Sequence, residues 1–229
     1  MLSSHLPIPN RVLASLPRLE YLRLLLHLEV VELVEGEVLC ESGKPLQYVY
    51  FPSDCLVSLL TLVDENDVFA VALVGREGMT GVTTALGSKV SPFRALVQGT
   101  GAAMRLKSCV FVAEFHASAA LREVVLAYVL SLTLQISQTA ACNRFHGIEA
   151  RLARWLLMTR DRLSCDHFHM THEMLGHLLG VRRVGVTTAA HALKQRGLID
   201  YSRGSIDITD GKQLQAAACS CYRKLDTRH

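Results

Sequence analysis

The chain has 229 residues, of which half are hydrophobic and 20% are charged, a composition that excludes a disordered or fibrous protein. Its seven cysteines are an odd number scattered from Cys40 to Cys221, and the N-terminus carries no secretory signal, so we expect a cytoplasmic protein with reduced thiols. The net charge of +3 is uneven, since residues 1–145 carry −2 and residues 146–229 carry +5. This basic C-terminal third predicts a polyanionic partner for that part of the chain.

The N-terminal half begins with a helical segment over residues 1–28 and then changes character. Short β-rich runs such as "QYVYF", "VFAVALV" and "RALVQG" follow up to about Leu106, separated by the turn signals "ESGKP", "DEND" and "GREG". Many short strands with a turn every 8–12 residues, roughly, are typical of an antiparallel barrel or jelly roll. We therefore predict a β-roll here.

A long apolar helix is predicted next, because residues 124–143 contain no charged side chain. The stretch is nearly long enough to span a membrane. Its second half is polar, however, with Gln135, Ser137 and Gln138, so we predict a helix of a soluble protein and no membrane contact. The helix is apolar around most of its circumference, which favours packing against a second copy in a homodimer.

Residues 170–201 show the pattern of a helix-turn-helix. Thr171 is a suitable N-cap, and apolar residues at 175, 179, 181, 186 and 189 match its inward positions. Gly176 suits the helix crossing, and Gly180 suits the turn. The alternative is a basic helical hairpin within a core, but such a hairpin gives no reason for the polar and basic outer face of the second helix. After it, "GLIDYSRGSIDITD" predicts a two-stranded wing with Arg203 at its tip.

With these predicted elements, the chain resembles the Crp/Fnr family of bacterial transcription regulators over residues 20 to 210. The resemblance lies in "MTHEMLGHLLGVRRVGVTTAAHALKQRGLIDYSRGSIDITD" and in "FHGIEARLARWLLM", which is similar to the family's hinge and first DNA-binding helix. It implies an α+β chain: a cyclic-nucleotide-binding-like β-roll sensory domain (1–116), a long dimerisation helix (117–145) and a winged helix-turn-helix domain (146–229). It also implies a homodimer on double-stranded DNA and contact with RNA polymerase.

Family roles carry over to individual positions of the helix-turn-helix. Arg183 takes the place of the guanine-reading arginine, and Thr171 that of a phosphate contact. Val184 stands where the cyclic-AMP receptor proteins have a cytosine-reading glutamate, and Thr188 where they have a second base-contacting arginine, so the family's best-known operator is not expected. The predicted DNA contacts are Thr171, His172, Arg182, Arg183, Val184, Thr187, Thr188, His191 and Arg203.

The sensory half departs further from the family. Arg76 replaces the ribose-binding glutamate of the cyclic-AMP binders, and Arg94 comes one position later than their phosphate-binding arginine. We therefore expect a divergent pocket that does not bind cyclic AMP, and the sequence indicates no cofactor. Its candidate residues are Gly75, Arg76, Glu77, Arg94 and Ser137, the last where relatives have a helix serine that meets the adenine.

The remaining cysteines and histidines lead to no metal site. No cysteine precedes Cys40, which argues against an iron–sulfur sensor, and the histidines between Cys165 and His177 are expected to be solvated. Cys219 and Cys221 form an isolated C-x-C, open to packing or thiol redox roles. No nucleophile–base set suggests an enzyme. The alternative to a DNA-binding regulator is a nucleotide-binding module that acts through protein partners.

Overall fold

The computed structural model of the chain describes residues 10–62 and 68–226. The chain divides into two compact units, one of residues 1–59 and 74–130 and the other of residues 60–73 and 131–229. The domain boundaries predicted near residues 116 and 145 stay predictions. The part of the N-terminal helical segment before residue 10 and the acidic turn at residues 64–67 lie outside the described residues.

The N-terminal half is an antiparallel β-roll, which confirms the predicted fold class. Two short helices precede the strands, namely α1 (Arg11–Ala14) and α2 (Arg18–Leu25). The strands are β1 (Glu29–Leu33), β2 (Val38–Cys40), β3 (Tyr48–Pro52), β4 (Leu56–Leu62), β5 (Val68–Val74), β6 (Arg94–Gly99) and β7 (Gly101–Lys107). They form one sheet of order β1-β7-β3 and another of order β2-β6-β4-β5. Most residues of β4 and β5 are buried, which explains their continuous apolar sequences.

Two elements of the roll have no clear signal in the sequence. Strand β2 has only three residues, too few to show an alternating pattern, and pairs with β6. A 3₁₀ helix over Val82–Leu86 lies between Gly81 and Gly87, whose φ angles of 75° and 85° favour glycine.

Two helices follow the roll, and the second corresponds to the long helix predicted over residues 117–145. They are α3 (Ser108–Ala117) and α4 (Ala119–Phe145), and the chain is extended at Ser118 between them. The Ser118 hydroxyl accepts a hydrogen bond from the Leu121 N–H at 3.1 Å, so this residue caps the start of α4. At 27 residues, α4 is about 40 Å long.

The polar side chains of α4 have partners inside the protein. The Gln135 amide accepts from the Leu73 N–H at 2.9 Å and donates to the Leu73 carbonyl at 3.1 Å. Thr139 is buried as well and accepts a hydrogen bond from Arg154 at 3.2 Å. By length and composition alone α4 is apolar enough to cross a membrane. These buried polar contacts are those of a helix packed within a folded domain.

The C-terminal part is a winged helix-turn-helix. Its elements are α5 (Ile148–Leu163), β8 (His167–His169), α6 (His172–Leu179), α7 (Arg183–Gln195), β9 (Ile199–Ser202), β10 (Ser205–Ile208), α8 (Gly211–Ala217) and α9 (Cys221–Asp226). Helix α7 packs on both α5 and α6. The wing contains a third strand, β8, that was not predicted. Its three residues alternate, with Phe168 buried between exposed His167 and His169.

Two glycines permit the close turn between α6 and α7. A Cβ on Gly176 would lie 3.0 Å from the Val181 carbonyl oxygen, so the crossing has no room for a side chain. Gly180 ends α6 with φ 61°, in the left-handed region, and its N–H closes the helix on the Gly176 and His177 carbonyls. Both glycine assignments made from the sequence are confirmed.

Candidate nucleic-acid interface

Helix α7 separates its residues cleanly between a buried and an exposed face. Its inward residues Val186, Ala189, Ala190 and Leu193 are all buried. The predicted contact residues on α7 are exposed, and Val184 is 75% exposed although it is apolar. An exposed valine beside arginines and threonines offers an apolar contact of the kind that a thymine methyl group needs.

Some basic side chains in or next to α7 form ion pairs with acidic side chains, and others do not. Near the end of α7, Lys194 pairs with Asp200 at 2.5 Å and Arg196 with Glu149 at 2.6 Å. Among the residues that the structure describes, neither Arg182 nor Arg183 at the start of α7 has a carboxylate partner. The positive end of the helix dipole adds to their charge. The beginning of α7 is therefore its electropositive end, suited to an anionic partner.

Two threonines on the exposed face are held by the helix itself. The Thr187 hydroxyl donates to the Arg183 carbonyl at 3.0 Å, and the Thr188 hydroxyl donates to the Val184 carbonyl at 3.1 Å. These bonds use the hydroxyl protons and leave oxygen lone pairs as acceptors. The exposed His191, one turn further on, pairs with Gln195 at 2.9 Å.

The wing presents Arg203 at its tip. Arg203 and Gly204 have φ values of 50° and 85°, the left-handed pair of a tight hairpin turn. A Cβ on Gly204 would lie 2.8 Å from Nε2 of His169, and the Gly204 carbonyl accepts from the Met170 N–H at 2.6 Å. The turn is thus tied to the segment before α6, while the Arg203 side chain stays exposed.

Thr171 and His172 lie at the start of α6 and have structural partners. Thr171 caps the helix, with its hydroxyl oxygen accepting from the Met174 N–H at 3.2 Å. The His172 ring stacks on Tyr201 of β9 with 4.1 Å between centroids, and its Nδ1 lies 3.0 Å from the Thr187 hydroxyl. Because Thr187 already donates to Arg183, Nδ1 of His172 carries the proton and donates to Thr187. His172 thereby joins α6, α7 and the wing, which no local sequence signal indicated.

Burial lowers the pKa of His172 from its usual value, and the charge of Arg183 lowers it further. The Nε2 atom is buried and, among the described residues, has no hydrogen-bond partner. A proton at this nitrogen would add a second charge beside Arg183. The neutral ring is therefore the form that this site favours.

Two arginines of α5 are buried, which the sequence did not indicate. Arg154 is fully buried, and Arg151 is only 7% exposed. Arg151 donates through Nη2 to the Leu179 carbonyl at the end of α6. Both counted toward the basic excess of residues 146–229, but neither is available to an external polyanion. The charge that faces outward is therefore smaller than the sequence suggested.

The residues of the predicted effector pocket are engaged locally. Glu77 accepts a hydrogen bond from the Gly75 N–H at 3.2 Å, and the Arg76 carbonyl accepts from the Arg11 N–H at 2.7 Å. Arg94 pairs with Glu41 at 3.4 Å. Ser137 belongs to the second compact unit and is exposed on α4.

Comparisons with known proteins support this description. Residues 150–217 match the family model described as the Crp-like helix-turn-helix domain. No curated protein matches the chain. Among solved structures, FixK2 from Bradyrhizobium japonicum has 14% identity and a TM-score of 0.72, covering 84% of this chain and 98% of FixK2.

Two further structures have the same fold. A CRP-family transcriptional regulator from Thermus thermophilus has 18% identity and a TM-score of 0.69, with 82% of this chain and 96% of that chain covered. The c-di-GMP-responsive global regulator CLP from Xanthomonas campestris has 14% identity and a TM-score of 0.68, with 84% and 99% covered.

The class of protein follows from the domain match and the fold together. Residues 150–217 form a Crp-like helix-turn-helix domain, and the chain has the fold of solved transcription regulators such as the CRP-family protein of Thermus thermophilus. The resemblance to the Crp/Fnr family that the sequence indicated is confirmed.

The environment of His172 predicts a pH dependence of stability. Because its pKa is lowered in the folded state, its contribution is present above the unfolded value of about 6.5 and is lost as the pH falls through the folded value. We expect the stability of the wild type to fall more between about pH 7.5 and 5 than that of His172→Gln, in urea unfolding followed by circular dichroism.

The substitution His27→Gln, at an exposed histidine outside the winged domain, is the matched control and should behave as the wild type does. An identical pH dependence in the wild type and His172→Gln would contradict the role given to His172.

Proposed function

We propose that the protein is a sequence-specific transcription regulator that binds double-stranded DNA as a homodimer in the cytoplasm, independently of cyclic AMP. The observation that carries this proposal is the exposed face of α7. Arginines that have no carboxylate partner among the described residues lie there together with threonine hydroxyls and the apolar Val184. An ordinary core hairpin has no use for this combination. Recognition in the major groove uses contacts of all three kinds.

The contacts divide into two roles. Arg183, at the start of α7, suits bidentate recognition of guanine, as the family resemblance implies. Arg203, at the wing tip, is placed to contact phosphate, which contributes affinity without sequence preference. Thr171 and His172 support this surface from behind: Thr171 caps α6, and His172 holds Thr187 in place.

Substitutions at the two arginines should separate these roles. We expect Arg183→Ala to weaken binding to the selected site by about 1–3 kcal/mol and to relax the preference at one guanine. We expect Arg203→Ala to weaken binding to all sequences alike and to reduce the slope of log K against log salt by about 0.9. Fluorescence anisotropy on sites selected from random DNA, at several salt concentrations, measures both.

Lys212→Ala removes the same charge from α8, outside the proposed interface, and is the matched control. If Arg183→Ala kept its sequence preference, the proposed recognition register would be wrong. If the wild type showed no salt-dependent DNA binding, the alternative of a regulatory module acting through protein partners would gain support.

The dimer is proposed from the exposed face of α4. Leu126 and Leu130 are 45% and 61% exposed, and lie one turn apart. The same stripe continues through the small exposed residues Ser137 and Ala141. A second copy of this helix along a two-fold axis would bury the stripe. Two recognition helices would then lie about 34 Å apart, which predicts a palindromic operator. From such a site a family member would contact RNA polymerase.

The exposed stripe predicts that a charge on it prevents dimer formation. We expect sedimentation equilibrium at micromolar concentration to give a dimer for the wild type and a monomer for Leu130→Glu, because two glutamates would face each other across the two-fold axis. Leu86→Glu, at a leucine 59% exposed in the 3₁₀ helix, is the control and should remain dimeric. A monomeric wild type would refute the proposed dimer.

Independence from cyclic AMP is proposed from the partners of the pocket residues. A cyclic phosphodiester needs a cation and backbone donors for its phosphate, and an acceptor for its ribose hydroxyl. Here Arg94 pairs with Glu41, and Glu77 accepts from the backbone of its own turn. The position of the ribose acceptor holds Arg76, which is a donor. Among proteins of this fold, CLP is described as c-di-GMP-responsive, so the fold is not restricted to cyclic AMP.

We expect calorimetry to show no binding of cyclic AMP or cyclic GMP at micromolar concentration. The loss of a charged hydrogen bond to phosphate and an unpaired ribose hydroxyl would each cost about 1–3 kcal/mol, or roughly 30-fold to 20,000-fold in affinity together. DNA affinity should be the same with and without either nucleotide. A micromolar dissociation constant for cyclic AMP would contradict this proposal.

A further inference from the structure

Three cysteines and one histidine come together at the end of α4, and the DNA interface uses none of them. They are Cys142, His146, Cys219 and Cys221, and we call them the Cys₃His cluster. Their ligand atoms all lie within 4.8 Å of one another. Cys142 and His146 are one helical turn apart, and the His146 N–H donates to the Cys142 carbonyl at 3.1 Å. Cys219 lies in the segment between α8 and α9, and Cys221 is the first residue of α9.

Two separations within the Cys₃His cluster are close to those of a tetrahedral metal centre. Sulfur–metal bonds of about 2.3 Å and nitrogen–metal bonds of about 2.0 Å place the ligands of one tetrahedral ion roughly 3.5–3.8 Å apart. The sulfurs of Cys142 and Cys219 are 3.4 Å apart. The Cys221 sulfur is 3.5 Å from Nδ1 of His146. Small movements of the side chains would bring all four atoms onto one ion.

A buried cation lies next to the cluster. All three cysteines are buried, and the fully buried guanidinium of Arg154 donates to Thr139, which is three residues before Cys142 on the same helix. Arg154 has no carboxylate partner among the described residues, and two of its nitrogens, Nε and Nη1, are buried without a hydrogen bond. A buried cation with unused donors needs a nearby anion. The thiolates of the cluster supply that anion.

A hydrogen bond to one of the cluster sulfurs agrees with this charge distribution. The Gln138 amide nitrogen donates to the sulfur of Cys221 at 2.9 Å. Groups that donate hydrogen bonds to the metal-binding sulfurs are typical of the surroundings of bound metal ions.

From this geometry we propose that the Cys₃His cluster binds one zinc ion. Three thiolates and one neutral imidazole are a common ligand set for structural zinc, and thiolates exclude hard cations such as Mg²⁺. On binding, the cysteine thiols lose their protons to solvent. Three thiolates and Zn²⁺ carry a charge of −1, which the Arg154 guanidinium balances. The cluster is open to solvent at the partly exposed His146, so the ion would enter from that side.

A bound ion would connect the end of α4 to the C-terminal segment of the winged domain. The Cys219 N–H already donates to the Ala150 carbonyl of α5 at 3.3 Å, so this segment packs at the start of the domain. The sequence predicted no metal ligands, because its C-x-C has no second pair nearby. The partners of Cys219 and Cys221 lie more than 70 residues earlier in the chain.

The test uses the full-length untagged chain, kept reduced and freed of metal with a chelator. We expect it to bind one equivalent of Co²⁺ with the intense visible bands of tetrahedral cobalt and a sulfur-to-cobalt charge-transfer band. Zn²⁺ should displace the cobalt and raise the melting temperature, because it binds the folded state. Absence of the charge-transfer band, or cobalt bound only in octahedral form, would overturn the proposal.

Substitutions then locate the site. Cys142→Ser, Cys219→Ser and His146→Asn should each weaken zinc binding at least about 100-fold, and Gln138→Leu about 10- to 100-fold. Cys109→Ser and Cys165→Ser change exposed cysteines outside the cluster and should bind as the wild type does. Melting curves of the metal-free variants verify that each variant folds. Because His146 is partly exposed and the cysteines are buried, His146→Asn is the substitution that disturbs packing least.

Two results would refute the assignment. Equal loss of binding in Cys109→Ser or Cys165→Ser would mean that exposed thiols capture the ion. A Cys142–Cys219 disulfide in the reduced preparation, detected by mass spectrometry, would mean that the pair is a redox site.

Discussion

The position of α7 depends on the close contact between α6 and the turn that precedes α7. At Gly176 the backbone of the turn approaches so closely that a Cβ would lie 3.0 Å from the Val181 oxygen. Gly180 supplies the left-handed residue that reverses the chain. Arg151 of α5 donates to the Leu179 carbonyl and so holds the end of α6. With this turn fixed, the first residues of α7 project outward as a rigid unit.

The arginines of the C-terminal domain have two different roles. Arg151 and Arg154 are buried, where their donors bond backbone carbonyls, hydroxyls or, as we propose, thiolates. Arg183 at the start of α7 and Arg203 at the tip of the wing are exposed, and neither has a carboxylate partner within residues 10–62 and 68–226. Elsewhere on the surface, Lys194 and Arg196 are neutralised by acidic partners. The same residue type thus stabilises the domain in one place and provides the positive surface in another.

Side-chain contacts that no sequence pattern indicated join the wing to the recognition helix. His172 stacks on Tyr201 and donates to Thr187, so α6, α7 and β9 share one contact. Strand β8 pairs with β10 and brings His169 against Gly204 at the wing tip. The histidines of this segment were expected to be solvated. His172 is instead half-buried in a defined contact, and so it has a structural role as well as its predicted place near DNA.

The β-roll, the long apolar helix and the winged helix-turn-helix could be predicted from the sequence, because each depends on local periodicity, turn residues and helix caps. The sequence also identified the exposed face of α7, since that face is the complement of the buried residues on one helix. Only the tertiary structure showed which arginines are buried, that β8 completes the wing, and that Cys142 meets Cys219. These features depend on contacts between residues far apart in the chain, and no local pattern records such contacts.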